Sequence, residues 1–214
     1  MNKLALSLSA LALGVLATAA FADPVPYPNV GHVAPNPSLP IVATGNMLDL
    51  YYYGGDADDN DYVIVKDLTN HTNSAPMLDN ETSFEGEEFM FAVNPGDILE
   101  FELVNNDTHT DYYSTPSDNP DSTNHVYITS FTAGDVTHGI PVGTFVGFED
   151  LYIAANSDHV CTGSRNKSDC DYNDDEFVYV MTNVNPTPEP SSLALLGTSV
   201  LGAAGMLRRR FVRR

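Results

Sequence analysis

Alternation of apolar and charged positions is clearest over residues 98–104, where Leu99, Phe101 and Leu103 interleave with Glu100 and Glu102. A period of two predicts a strand with one face in a core and the other in water. Similar short strand signals run over residues 47–53, 62–68, 88–93, 125–131, 144–153 and 176–184, separated by Gly, Pro, Asn and Asp. Asn94-Pro95-Gly96-Asp97 reads as a turn, predicting a hairpin between Phe89, Phe91 and Val93 on one side and residues 98–104 on the other. No stretch of the body combines helical period with caps. The pattern predicts an all-β fold, an antiparallel β-sandwich of the jelly-roll type. Residues 23–40 hold six prolines and no periodicity, which predicts an extended leader, with ordered structure beginning near Ile41.

The two ends read as addresses. Lys3, an apolar run from Leu4 to Ala20 and the small-residue site Ala20-Phe21-Ala22 make residues 1–22 a secretory signal peptide, cut after Ala22. Residues 185–214 place Pro188-Glu189-Pro190 before an apolar stretch from Leu193 to Leu207 and a cluster of Arg208, Arg209, Arg210, Arg213 and Arg214. The apolar stretch is marginal for the ~20 residues that a membrane helix needs, and the arginines would stay on the cytoplasmic side. This tripartite ending resembles the PEP-CTERM sorting signal. The resemblance implies an exosortase partner, an integral-membrane cysteine protease of Gram-negative bacteria that recognises Pro-Glu-Pro. The chain would be held transiently at the inner membrane by its tail and then released to the cell surface or extracellular matrix. Hydropathy by itself leaves a plain tail anchor open.

What lies between is long enough for one domain, expected over residues 41–184. Its charge is extreme. Of 29 acidic residues all but Glu189 belong to the body, whereas of the 9 basic ones only Lys66, Arg165 and Lys167 do. Such a surface excludes nucleic acid as a partner and approaches anionic lipid only through bridging cations.

The acids are concentrated. Asp169, Asp171, Asn173, Asp174, Asp175 and Glu176 put six carboxylate or amide side chains into eight residues, a density that repels itself unless solvated or neutralised by a hard cation. Calcium, which takes 6 to 8 oxygen ligands in flexible geometry, is the natural cofactor. A second copy of the D-x-D-x-N-D spacing occurs at Asp56, Asp58, Asn60 and Asp61, and each copy runs into an apolar strand segment. An EF-hand is excluded: Asp67 falls at the twelfth position, but the sixth is Asp61 rather than Gly, and residues 62–66 read as strand. Calcium held in the edge loops of a sandwich fits better. A polar turn that merely starts a strand is the bland alternative for each copy. Cys161 and Cys170, the only cysteines, predict a disulfide in an oxidising compartment, one that would fix the backbone around Asp169 and Asp171.

The succession FTAGD, GFEDL, DCDYND and an apolar strand over residues 120–183 resembles a domain of unknown function from the ends of extracellular bacterial proteins. The resemblance implies that Glu149 and Asp150 act with Asp169, Asp171, Asn173 and Asp174, and it places His125 in the preceding strand. This chain departs from that pattern by inserting the cysteine loop, residues 157–168, between the two halves.

An enzyme is not expected. Glu149 and Asp150 could serve glycoside hydrolysis only across a sugar cleft with carboxyls ~5 to 9.5 Å apart, and adjacent strand residues point to opposite faces. There is no Trp, no G-x-S-x-G elbow, no Gly-rich phosphate loop and no H-E-x-x-H helix. The six histidines are scattered and read as surface or sheet-face residues. The remaining readings are a structural or adhesive matrix component with calcium-locked loops, or a calcium-dependent carbohydrate-binding module. The partner would then be an extracellular polysaccharide or another matrix protein. Tyr51, Tyr52, Tyr53, Tyr112 and Tyr113 are expected first as sandwich packing.

Overall fold

The computed structural model describes residues 27–161 and 167–184, and these form a β-sandwich. Its strands are β1 (Ile41–Val42), β2 (Met47–Gly54), β3 (Asp61–Asp67), β4 (Thr72–Asn73), β5 (Glu88–Ala92), β6 (Ile98–Asn105), β7 (Thr110–Tyr113), β8 (Val126–Phe131), β9 (Gly143–Phe148) and β10 (Asp175–Thr182). One five-stranded sheet runs β1-β6-β3-β4, with β7 also on β6; the other runs β5-β2-β10-β9-β8. Every pairing between strands is antiparallel. The helical element among the described residues is one 3-10 turn, Pro116–Asp118, and no helix there is long and apolar enough to cross a membrane. The expected signal peptide, residues 1–22, and the expected sorting tail, with Pro188, Glu189 and Pro190, lie outside the described residues.

The alternation over β6 sends Leu99, Phe101 and Leu103 into the space between the sheets, where they meet Leu48, Leu50, Val146, Phe148 and Phe177. Phe101 and Phe177 join the two sheets edge to face, with ring centroids 5.0 Å apart. Burying such a side chain stabilises the fold by about 1.5–3 kcal/mol. The second sheet is covered on both faces. Tyr52 enters the main core, while Tyr53, Phe145 and Val178 pack with Phe131 and Ile140 on the outer side. The consecutive tyrosines therefore divide between two apolar clusters rather than between core and solvent.

Three expectations are corrected. Glu100 and Glu102 do not face water: both are buried. Strand β7 adds to the edge of β6, and Lys66 lies 3.6 Å from Glu102 and 4.7 Å from the centre of the Tyr113 ring. Burial raises the Glu100 carboxyl above its ordinary value. The turn at Asn94–Asp97 does not close a hairpin, because β5 pairs with β2 and β6 with β3; it carries the chain from one sheet to the other. The Asp97 carboxylate accepts the Asn94 amide at 2.6 Å, so the turn is locally closed even though its strands part. Finally, the proline-rich leader joins the core before Ile41. Tyr27 and Ala34 are buried with Ile153, Cys170 and Tyr172. The Tyr172 hydroxyl accepts the Ala34 amide at 2.8 Å and donates to the Asn124 carbonyl at 3.0 Å.

The register places the acids. Asp61, first in β3, is paired with Asn105, last in β6; Asp175, first in β10, is paired with Phe148, last in β9. Asn105 Nδ2 reaches across to the Asp150 carbonyl at 3.1 Å, so these strand ends share one end of the sandwich.

Candidate metal centre

Strand β9 stops at Phe148, five residues short of the end the apolar pattern predicts, and the chain turns there with Glu149 and Asp150. Glu149 is wholly buried. Its Oε2 accepts the Ser168 hydroxyl and its Oε1 accepts the Tyr172 amide, so one carboxylate holds both sides of the segment carrying Asp169 and Asp171. Carboxylate oxygens of Glu149, Asp169 and Asp171 lie within 4.8 Å of one another. Asp171 Oδ1 is buried with no hydrogen-bond partner. Burial pushes the Glu149 carboxyl well up, with the Asp174 charge adding to it; burial and then the Asp169 charge push Asp171 to about 6. These are hard oxygen donors converging at a partly open point, the kind of shell calcium takes.

The segment that carries Asp169 and Asp171 is tightly constrained. Cys161 and Cys170 form a disulfide with Cα atoms 6.2 Å apart, as the spacing predicts. Cys170 and Tyr172 adopt positive φ of 59° and 58°, which turns the chain sharply on both sides of Asp171. Gly147 in β9 lies directly against the Tyr172 carbonyl, and a Cβ there would collide with it. His125 sits just before β8 rather than within it and is buried, against the expectation of a surface or sheet-face histidine. Its Nδ1 donates to the Glu149 carbonyl at 3.0 Å, and its ring stacks on Tyr112 with centroids 4.1 Å apart. Asp121 meets His125 Nε2 at 2.9 Å and accepts the Ile153 amide at 3.0 Å. Ser168, Tyr172, His125 and Asp121 thus support the centre without belonging to either acidic motif.

Asp150 points elsewhere. Its amide donates to Asp174 Oδ2 at 2.9 Å, and its carboxyl lies against that of Asp61. Burial, then the charge of Asp61, raises Asp150 to about 8; burial, with Asp174 and Asp59 adding, raises Asp61 to about 7. The neighbours Glu149 and Asp150 therefore serve different groups of acids, as alternation at a strand end requires.

The two motif copies touch. The Asp56 amide donates to the Asn173 carbonyl at 2.9 Å, and Gly55 permits this approach, since a Cβ there would lie 2.5 Å from the Asp174 carbonyl. The side chains of Asp56 and Asp58 are exposed and outside the converging acids, and Asn60 Oδ1 accepts Asn106 Nδ2. Asn173 contributes its backbone carbonyl to the contact between the loops. Of the first copy, the structure brings Asp61 alone to the other acids.

No curated protein and no solved structure matches the chain. Residues 186–210, including Pro188, Glu189 and Pro190, match the PEP-CTERM protein-sorting motif, and the chain is accordingly an exported protein sorted by an exosortase.

Proposed function

We propose that the mature protein is a cell-surface or extracellular-matrix component, structural or adhesive in role, whose acidic end is locked by calcium. The convergence of Glu149, Asp169 and Asp171 within 4.8 Å, with an unpartnered buried oxygen on Asp171, carries the reading. Backbone carbonyls and water would complete the shell, and calcium would hold the cysteine-closed segment against β9. Extracellular modules typically bind calcium at about 0.1–1 mM. The resemblance of residues 120–183 to an extracellular bacterial domain supports this, since its recurring acidic segments supply these residues. Isothermal titration tests it: calcium should bind in that range and magnesium more weakly, because magnesium demands tight octahedral geometry. Asp171→Asn should abolish binding at this centre. No measurable calcium binding up to 10 mM, on the order of ten times the weak end of that range, would overturn the proposal.

A calcium-dependent carbohydrate-binding module is the second reading, favoured by a polar groove of about 670 Å³ lined by Asn29, His32, Asn36, Asn124, Asn156 and His159. It lies between the leader, residues 122–124 and residues 155–159 at the start of the cysteine loop. Glycan-array binding that disappears in chelator would select this reading. Calcium-dependent self-association without glycan binding would select the matrix component.

A further inference from the structure

The acids that Glu149 leaves aside form a group of their own. Asp61 and Asp175 are 0% exposed, and all four of their carboxylate oxygens are buried without a hydrogen-bond partner. Asp61 comes from the first sheet at the start of β3; Asp175 comes from the second at the start of β10. The Asp150 carboxyl lies in contact with those of both Asp61 and Asp174, and Asp175 feels the Asp61 charge more strongly than any other. Ionised carboxylates have no proton to give one another. Either they hold protons or a cation sits among them.

The described residues supply no such charge. Lys66 is engaged by Glu102 and Tyr113, and Lys167 lies over the Tyr152 ring. Nearby donors are neutral amides: Asn105 Nδ2 bonds Asp59 Oδ2 at 2.9 Å and Asp150 Oδ2 at 3.4 Å, and the Asp61 amide is held by Asn80 Oδ1 at 2.9 Å. Burying one unpaired carboxylate costs several kcal/mol even after relaxation, and four crowded together cost more.

We propose that Asp61, Asp150, Asp174 and Asp175 form a second divalent-cation site, distinct from the Glu149–Asp169–Asp171 centre, that ties the two sheets together at this end of the sandwich. The inference rests on the calcium reading above and extends it. The ligand class is a hard, oxygen-seeking dication, calcium in an extracellular setting. The acids are spread more widely than at the first centre, where three carboxylates converge within 4.8 Å. A bound ion draws them inward against their repulsion. Asp174 faces both groups, carrying charge interactions with Asp150 and with Asp171, so the two ions are neighbours. The adjacent pair Glu149 and Asp150 then acts as a divider that sends one carboxylate to each ion.

Native mass spectrometry of the exported chain, titrated with calcium chloride, counts the ions directly on the folded species. Two calcium ions per chain are expected, falling to one in Asp61→Asn and to one in Asp175→Asn; these near-isosteric changes remove charge without volume, and far-UV circular dichroism confirms the β-fold of each. Asp171→Asn also falls to one, and Asp61→Asn combined with Asp171→Asn falls to none. One ion in the wild type, removed by Asp171→Asn and untouched by Asp61→Asn and Asp175→Asn, overturns the second site while leaving the first. No ion in the wild type overturns both.

Discussion

The amide of Asp56 donates to the carbonyl of Asn173 at 2.9 Å, joining two acidic loops that stand more than a hundred residues apart in the chain. The contact brings Asp61, from the first loop, to Asp150 and Asp174 beside the second. Two look-alike motifs thereby become one polycarboxylate end of the sandwich rather than two separate ion loops. Its stability should depend on what neutralises those charges.

Protons can substitute for cations. Asp61 at about 7 and Asp150 at about 8 lie above the ordinary value of about 3.9, because burial disfavours their charge. The folded chain then holds protons that the unfolded chain has released. The stability these groups contribute is full below about pH 4 and is lost as pH rises through 7 to 8. In excess chelator, the unfolding free energy from urea denaturation, and with it the urea midpoint, should fall between pH 5 and about pH 8, the free energy by about 1.4 kcal/mol per pH unit for each extra proton held. Calcium should flatten that fall. A midpoint in chelator that rises over the same range would contradict the assignment.

Tyr172 is a structural anchor rather than a ligand. Its hydroxyl bonds the Ala34 amide and the Asn124 carbonyl in the interior, fastening the leader to the body. Tyr172→Phe should cost about 1–3 kcal/mol in chemical denaturation, because the Ala34 amide is left buried and unpaired. Calcium stoichiometry should be unchanged. A loss below about 0.5 kcal/mol would show that the leader contributes little to stability.

The sorting motif at residues 186–210 makes a prediction about the mature form. Mass spectrometry of the protein released at the cell surface should recover peptides of the body and none from residues 193–214. Intact tail peptides in the released form would contradict removal of the tail.

Local pattern carried much of this fold. Leu99, Phe101 and Leu103 read as one buried face of a strand, and they are. Cys161 and Cys170, close in sequence, read as a disulfide, and they form one. What failed was decided by partners distant in the chain. Glu100 and Glu102 read as solvent-facing because nothing in residues 98–104 announces that Lys66 and Tyr113 will cover them. The Asn94–Asp97 turn has hairpin chemistry, yet β5 finds β2 instead. Tyr27 gave no periodicity among its prolines, though its ring lies edge-on to Tyr172 at 4.9 Å. At the acidic end the residue types were legible and their grouping only in part: the resemblance implied that Glu149 acts with Asp169 and Asp171, whose carboxylate oxygens lie within 4.8 Å of one another, but nothing set Asp61 and Asp175 beside Asp150. Asp175 read as one more acid of the run from Asp169 to Glu176, His125 as a scattered histidine, and Asp61 as part of a separate loop, because grouping depends on how β3 and β10 align across the sandwich.

Thermal melting in excess chelator and in millimolar calcium tests the central claim most directly, that a cation held by these carboxylates stabilises the sandwich. Calcium at ten times the dissociation constant adds about 1.4 kcal/mol, which raises the melting temperature of a domain this size by roughly 3–6 °C. Asp171→Asn should remove much of that rise, while Asp118→Asn, in the exposed 3-10 turn, should retain it. A melting temperature that is the same in chelator and in calcium, or an Asp118→Asn effect equal to that of Asp171→Asn, would contradict the account.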